Sequence, residues 1–107
     1  MISDKRIQSI LYMLAKEPDD VFLNYALGLE YAMQKSTFDL AEAQFIKVKQ
    51  LNPQYIAAYF QLGQLYVAMQ KKEAALFTFN QGLALAKELK NNKVVNEISE
   101  AIFLLED

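Results

Sequence analysis

The sequence predicts an all-α protein, an α-α superhelix of antiparallel helix pairs, from an internal repeat and from its composition. Residues 25–31, Tyr-Ala-Leu-Gly-Leu-Glu-Tyr, return as residues 60–66, Phe-Gln-Leu-Gly-Gln-Leu-Tyr, and each copy precedes an Ala-x-x-x-Phe step. The two copies are 35 residues apart. A repeat of this length is typical of stacked helix-turn-helix units, which bury their apolar faces against their neighbours. Only three glycines and two prolines occur in 107 residues. The chain therefore has little material for anything but helices.

The first two helices are separated by a proline. Ser3 can cap a first helix that runs to about Lys16, and Pro18 disfavours helix in the residue before it. One of the two aspartates at 19–20 can then accept from the free amides that begin the second helix. We expect this helix to reach about Gln34.

The third and fourth helices are predicted from two further start signals. Ser36 with Asp39 three residues later is a variant of the capping box, so a third helix should begin there and end near Leu51. The Asn-Pro pair at 52–53 can supply the cap and first residue of a fourth helix. That helix should end at about Met69.

The last two helices are divided by a pair of asparagines. A fifth helix is expected from about Lys71 to Leu89, and Asn91-Asn92 forms the break. A sixth helix, from about Lys93 to Leu105, has apolar residues at helical spacing. These are Val94, Val95, Ile98, Ile102 and Leu105.

The repeated residues resemble the tetratricopeptide repeat family, in its small bacterial type. The first repeat matches at Leu27-Gly28, Tyr31, Ala41, Phe45 and Pro53, and the second at Tyr59, Leu62-Gly63, Tyr66, Ala75 and Phe79. Two departures concern the first repeat, where Asn24 occupies the aromatic position and Val48 a position usually held by a small residue. Gly82 is small at the second position in the other repeat. Lys87 replaces the second proline.

The resemblance implies one domain over residues 1–107. Its parts are a half-repeat helix at 1–18, a first repeat at 19–53, a second repeat at 54–90 and a C-terminal capping helix at 91–107. The glycines, the alanines and the aromatic residues that match the family are expected to be core, because close helix packing explains their spacing.

Composition and motifs argue against an enzyme. The chain has no histidine and no cysteine, which removes the commonest base, thiol nucleophiles, disulfides and thiolate metal sites. No glycine-rich phosphate loop is present, and Asp19-Asp20 is interpreted as a helix start and not as a metal site. We therefore predict no catalytic residue, no cofactor and no metal.

Charge and hydropathy restrict the partners and the compartment. A net charge of −2 and a pI near 5.1 argue against nucleic acid, and the lysines at 71–72 and 87–93 are interleaved with glutamates. No long apolar run follows the first residues, so we expect neither a membrane span nor a secretory signal. The expected compartment is the cytoplasm.

The resemblance also implies a concave wall formed mainly by the first helix of each repeat. Its groove residues in this chain are mostly apolar and carry no charge: Phe22, Tyr25, Leu29, Met33, Phe60, Gln64 and Val67. Family members that clamp an acidic chaperone C-terminus have Asn directly after the repeat glycine, where this chain has Leu29 and Gln64. That clamp is therefore missing.

Two functions remain open. The first is a protein-interaction module that takes an apolar or amphipathic peptide or helix into the groove. The second is a self-associating, homodimeric scaffold that uses the groove or the last helix. The sequence also leaves open whether the groove is free or covered by the C-terminal helix of the same chain.

Overall fold

The computed structural model describes residues 4–106, and within them the fold is entirely helical. Its elements are α1 (Asp4–Lys16), α2 (Val21–Tyr31), a short 3-10 helix (Lys35–Thr37), α3 (Phe38–Leu51), α4 (Ile56–Ala68), α5 (Lys72–Glu88) and α6 (Asn92–Glu106). The predicted all-α class of helix pairs is confirmed. The cap predicted at Ser3 lies outside the described residues. The chain forms two compact units, one ending at Ala58 and the other beginning at Tyr59.

In the first unit, α2 is the central helix and packs against both α1 and α3. Gly28 allows the approach of α3, because a Cβ atom at this position would lie 2.6 Å from Cε1 of Phe45. Three predicted core residues at this contact, Gly28, Ala41 and Phe45, are buried, and so are Leu27 and Val48, which were not in the predicted core. Tyr31 is half-buried beside them.

The connection between α1 and α2 is held by polar contacts. Asp20 caps α2, as predicted, with its Oδ1 accepting from the Leu23 amide at 2.8 Å. The Pro18 carbonyl accepts from Asn24 Nδ2 at 3.0 Å and from Lys47 Nζ at 3.1 Å. Asn24 is 1% exposed, and its side-chain amide donates to two backbone carbonyls, those of Pro18 and Asp20. The position expected to hold an aromatic ring therefore holds a hydrogen-bonded amide.

The boundary between α2 and α3 differs from the prediction. Helix α2 ends at Tyr31, short of Gln34, and the Thr37 hydroxyl donates to the Tyr31 carbonyl at 2.6 Å. The expected capping box from Ser36 is wrong, because α3 begins at Phe38 and no side chain caps it. The Thr37 side chain thus bonds to the end of α2, and no side chain bonds to the first amides of α3.

The start of α4 also differs. The prediction that Pro53 is the first helical residue is wrong, because α4 begins at Ile56. Asn52 instead forms a turn, in which its Oδ1 accepts from the Gln54 amide at 3.0 Å and its carbonyl from the Tyr55 amide at 3.0 Å. The asparagine therefore holds a turn around the proline and delays the helix by one turn.

In the second unit, α4 and α5 end in the same way. Gln70 and Lys90 have left-handed backbone conformations, with φ of 60° and 56°. The amide of the next residue then donates back to the helix, Lys71 to the Tyr66 carbonyl at 2.8 Å and Asn91 to the Ala86 carbonyl at 2.9 Å. Asn91 also accepts from the Val94 amide, so α6 begins at Asn92, one residue before the predicted start.

The core of the second unit joins α4, α5 and α6. Its buried centre is Ala75, Phe79 and Ile98, surrounded by half-buried apolar residues: Phe60, Tyr66, Leu83, Val94, Ala101, Ile102 and Leu105. Gly63 faces the Phe79 ring as Gly28 faces Phe45. A Cβ atom at Gly82 would lie 2.9 Å from Cβ of Tyr59 and 3.1 Å from Cδ1 of Ile98, so three helices meet at this glycine.

Candidate functional site

The four groove residues predicted in the first repeat differ in exposure. Phe22 and Met33 are 65% and 58% exposed, whereas Tyr25 and Leu29 are half-buried. The Tyr25 ring lies 5.2 Å from the Tyr55 ring and 6.0 Å from the Phe45 ring, measured between centroids. Tyr25 is thus part of an aromatic cluster of the first unit, and Phe22 and Met33 are the exposed apolar side chains of the set.

The three groove residues predicted in the second repeat lie along α4. Phe60 is half-buried, with its ring centroid 6.2 Å from that of Phe79, and belongs to the core of the second unit. Gln64 and Val67 are exposed, and both line a cleft of about 230 Å³. This cleft, called here the α4/α6 cleft, is lined by Gln64, Val67, Ala101, Leu104 and Leu105.

Helix α6 therefore forms one wall of the cleft beside two of the predicted groove residues, Gln64 and Val67, a position of the last helix that the sequence left open. The apolar edge expected on α6 is its inner side: Ile98 is fully buried, and Ile102 and Leu105 pack around the core. Leu104 lies outside that edge and is 67% exposed. In the sequence, this α6 wall is indicated by a pair of large apolar residues, Phe103 and Leu104, on the polar side of an amphipathic helix.

The charges near the cleft lie on α6, because α4 has no charged residue between Ile56 and Ala68. Glu97 precedes Ala101 by four residues, and Glu100 precedes Leu104 by four. Residues at this spacing share one face of a helix, so both carboxylates flank the cleft wall. Both side chains are exposed.

The titratable groups of residues 4–106 do not form a candidate metal site. Among residues 4–106, no group of three or more acidic side chains is placed to hold a metal ion, and Asp20 is used as a helix cap. Burial raises the pKa of Tyr59 above its usual 10.0 and lowers the pKa of Lys49 below its usual 10.5.

Each helix within residues 4–106 is too short or too polar to span a membrane.

An all-helical chain with repeated glycine-to-phenylalanine contacts and an apolar cleft defines a helical-repeat protein. The tetratricopeptide repeat family matches residues 56–89, which contain most of the second repeat. A tetratricopeptide repeat domain protein from Salinibacter ruber, solved by NMR, is 30% identical with a TM-score of 0.76, and the match covers 83% of this chain and 89% of that one. The chain belongs to the tetratricopeptide repeat family.

Two other solved structures share the fold. A protein from Bordetella parapertussis is 25% identical with a TM-score of 0.84, over 99% of this chain and 90% of that one. The TPR2B domain of yeast Sti1, solved in a complex with pHsp70, has a TM-score of 0.85 at 19% identity, over 94% of this chain and 79% of that one. Among curated proteins, none matches this chain.

Proposed function

We propose that this protein is a non-enzymatic interaction module that binds an apolar or amphipathic segment of another protein in the α4/α6 cleft. The observation that supports this is the exposed apolar lining of the cleft, where Val67 and Leu104 are 38% and 67% exposed. Its volume of about 230 Å³ lies below the range of about 300–1,000 Å³ typical of small-molecule sites. The cleft therefore suits one or two side-chain anchors of a larger partner.

The family supports a protein partner. Tetratricopeptide repeats commonly present helical surfaces to other proteins, and the yeast Sti1 domain with this fold was solved in a complex with pHsp70. This chain has Leu29 and Gln64 after its repeat glycines, in place of the asparagines of the acidic-tail clamp. We therefore expect apolar anchors, and not carboxylates, to carry most of the binding. The exposed side chains of Phe22 and Met33 are a separate proposed surface of the first unit.

The test uses charge substitutions at exposed positions. Val67→Asp and Leu104→Asp should each weaken binding of partners recovered from native lysate by at least about tenfold. The reason is that the partner would cover a carboxylate in place of an apolar side chain. Phe77→Asp is the matched control, since Phe77 is a 67% exposed apolar residue on α5 that does not line the cleft. Binding is measured by titration of each purified partner. Equal affinity for the wild type and both cleft variants would contradict the proposal.

A self-associating scaffold is the second candidate, favoured by Phe103 and Leu104 on α6. These adjacent residues are 72% and 67% exposed, which is a large apolar surface for one helix turn. Sedimentation over a range of concentrations tests this function. A dimer that Phe103→Asp converts to a folded monomer would favour it, and a wild type that stays monomeric would exclude it. A cytoplasmic location remains a prediction, to be tested by cell fractionation.

A further inference from the structure

We propose that the segment bound in the α4/α6 cleft carries lysine or arginine next to its apolar anchors. This inference rests on the proposed function and adds the charge of the partner to it. The reason is the position of Glu97 and Glu100, which flank the α6 wall of the cleft one helix turn before Ala101 and Leu104.

Both carboxylates are available to a partner. Neither the Glu97 nor the Glu100 carboxylate has an ion pair or a hydrogen bond to another of residues 4–106, and both side chains are exposed. The opposite wall, α4, has no charged residue with which they could compete. A cation held beside the cleft would thus gain two carboxylates without breaking an existing pair.

The lysines nearest in sequence do not neutralise Glu100. Lys93 lies one helix turn before Glu97 and offsets part of that charge, but it precedes Glu100 by seven residues, about 10 Å along the helix axis. The Debye length at physiological salt is about 8 Å, so the Lys93 charge is largely screened from Glu100. Lys71 follows Val67 only after the left-handed residue Gln70, where the chain turns away from α4 toward α5.

The same carboxylates disfavour a second copy of the chain packed parallel to the first. A two-fold axis along the helix direction, which places α6 beside α6 through Phe103 or Leu104, brings the Glu97 and Glu100 side chains of the two copies opposite each other. Like charges facing each other weaken such a contact, whereas a basic segment is attracted to it. A partner with apolar anchors and positive charge satisfies both features of the cleft.

Peptide selection tests the chemistry of the partner directly. A random peptide display library is selected on the wild-type protein and counter-selected on Leu104→Asp. We expect the retained peptides to combine Leu, Ile or Phe with Lys or Arg at a neighbouring position. One such peptide is then titrated against the double variant Glu97→Gln/Glu100→Gln, which should bind it about threefold to tenfold more weakly, as expected for two exposed ion pairs. The loss should shrink when salt is raised.

Two variants serve as controls for net charge. Glu73→Gln/Glu88→Gln removes the same charge from α5, outside the cleft lining, and should leave the affinity unchanged. Lys71→Gln should not weaken binding. Circular dichroism melting establishes that every variant is folded.

The outcomes separate this inference from the function on which it rests. Retained peptides without a basic bias, or equal losses in the α5 control, would overturn the inference and leave the interaction module standing. A wild-type dimer that Leu104→Asp dissociates would also overturn it, since a second copy then covers the cleft. If no peptide distinguishes wild type from Leu104→Asp, both the inference and the proposed function fail.

Discussion

The two repeats solve one packing problem in opposite ways. In the second repeat, Tyr59 lies against Gly82, and the helices are so close that a Cβ atom at position 82 would be 2.9 Å from Cβ of Tyr59. The equivalent positions of the first repeat are Asn24 and Val48, which are 1% and 0% exposed. The second repeat thus has a large residue and a glycine at these two positions, whereas the first repeat has two residues of medium size.

The difference shows that a polar residue can hold a buried position that is aromatic in the other repeat. Asn24 can replace an aromatic residue because its amide donates to the carbonyls of Pro18 and Asp20, at 3.0 and 2.7 Å, and is therefore not an unpaired buried polar group. The first repeat is thus held to its preceding connection by hydrogen bonds. In the second repeat, close packing at Tyr59 and Gly82 holds α4 against α5.

The largest effect is expected where the second repeat is tightest. Gly82→Val should lower the free energy of unfolding by about 3 kcal/mol, because the new Cβ meets Tyr59 and Ile98 and neither helix can yield without opening the core. Ala84→Val is the control, since it places the same side chain at an exposed position of α5. Chemical denaturation of both variants gives the comparison.

A second substitution in the same background sharpens this result. Adding Tyr59→Asn to Gly82→Val recreates the residue types of the first repeat, but asparagine keeps the Cβ atom that causes the clash. We therefore expect no recovery of stability. Full recovery would mean that side-chain volume, and not the spacing of the helices, distinguishes the two repeats.

An intermediate effect is expected at the polar contact of the first repeat. Asn24→Leu should cost about 1–3 kcal/mol of unfolding free energy, because it removes both hydrogen bonds of the buried Asn24 amide and leaves the Pro18 and Asp20 carbonyls without that donor. Asn80→Leu is matched to it, since Asn80 also donates to a backbone carbonyl, that of Leu76, but is exposed. Thermal melting of both proteins is the measurement. Equal losses would show that the Asn24 contact adds no stability.

The smallest effect concerns alkaline pH and belongs to the second repeat. Burial raises the pKa of Tyr59 above 10.0, so its neutral form is favoured in the folded protein. The stability associated with this group is complete below pH 10 and is lost as the pH rises through the raised pKa, because the unfolded chain releases the proton first. Tyr59→Phe should reduce the fall in stability over this range, as measured by denaturation at a series of pH values. An unchanged pH dependence would contradict the prediction.

Local residue patterns predicted most of the fold. The recurrence of glycine and phenylalanine, Gly28 with Phe45 and Gly63 with Phe79, identified the buried helix contacts, because helical periodicity decides which face of each helix carries these residues. The Asp20 cap was predicted for the same reason, since the side chain acts on an amide three residues away. The predicted starts at Ser36 and Pro53 were wrong because Thr37 and Asn52 have local partners that compete with helix capping.

The cleft depended on tertiary structure. The sequence alone determined an all-α chain of tetratricopeptide repeats and an α4 surface that is apolar and uncharged, because composition and helical spacing define what each helix presents. It did not determine that Gln64 and Val67 would share a cleft with Ala101 and Leu104, which lie more than thirty residues further along the chain. That arrangement follows from how α6 packs on the core through Ile98, and only the three-dimensional packing decides which of its side chains remain exposed.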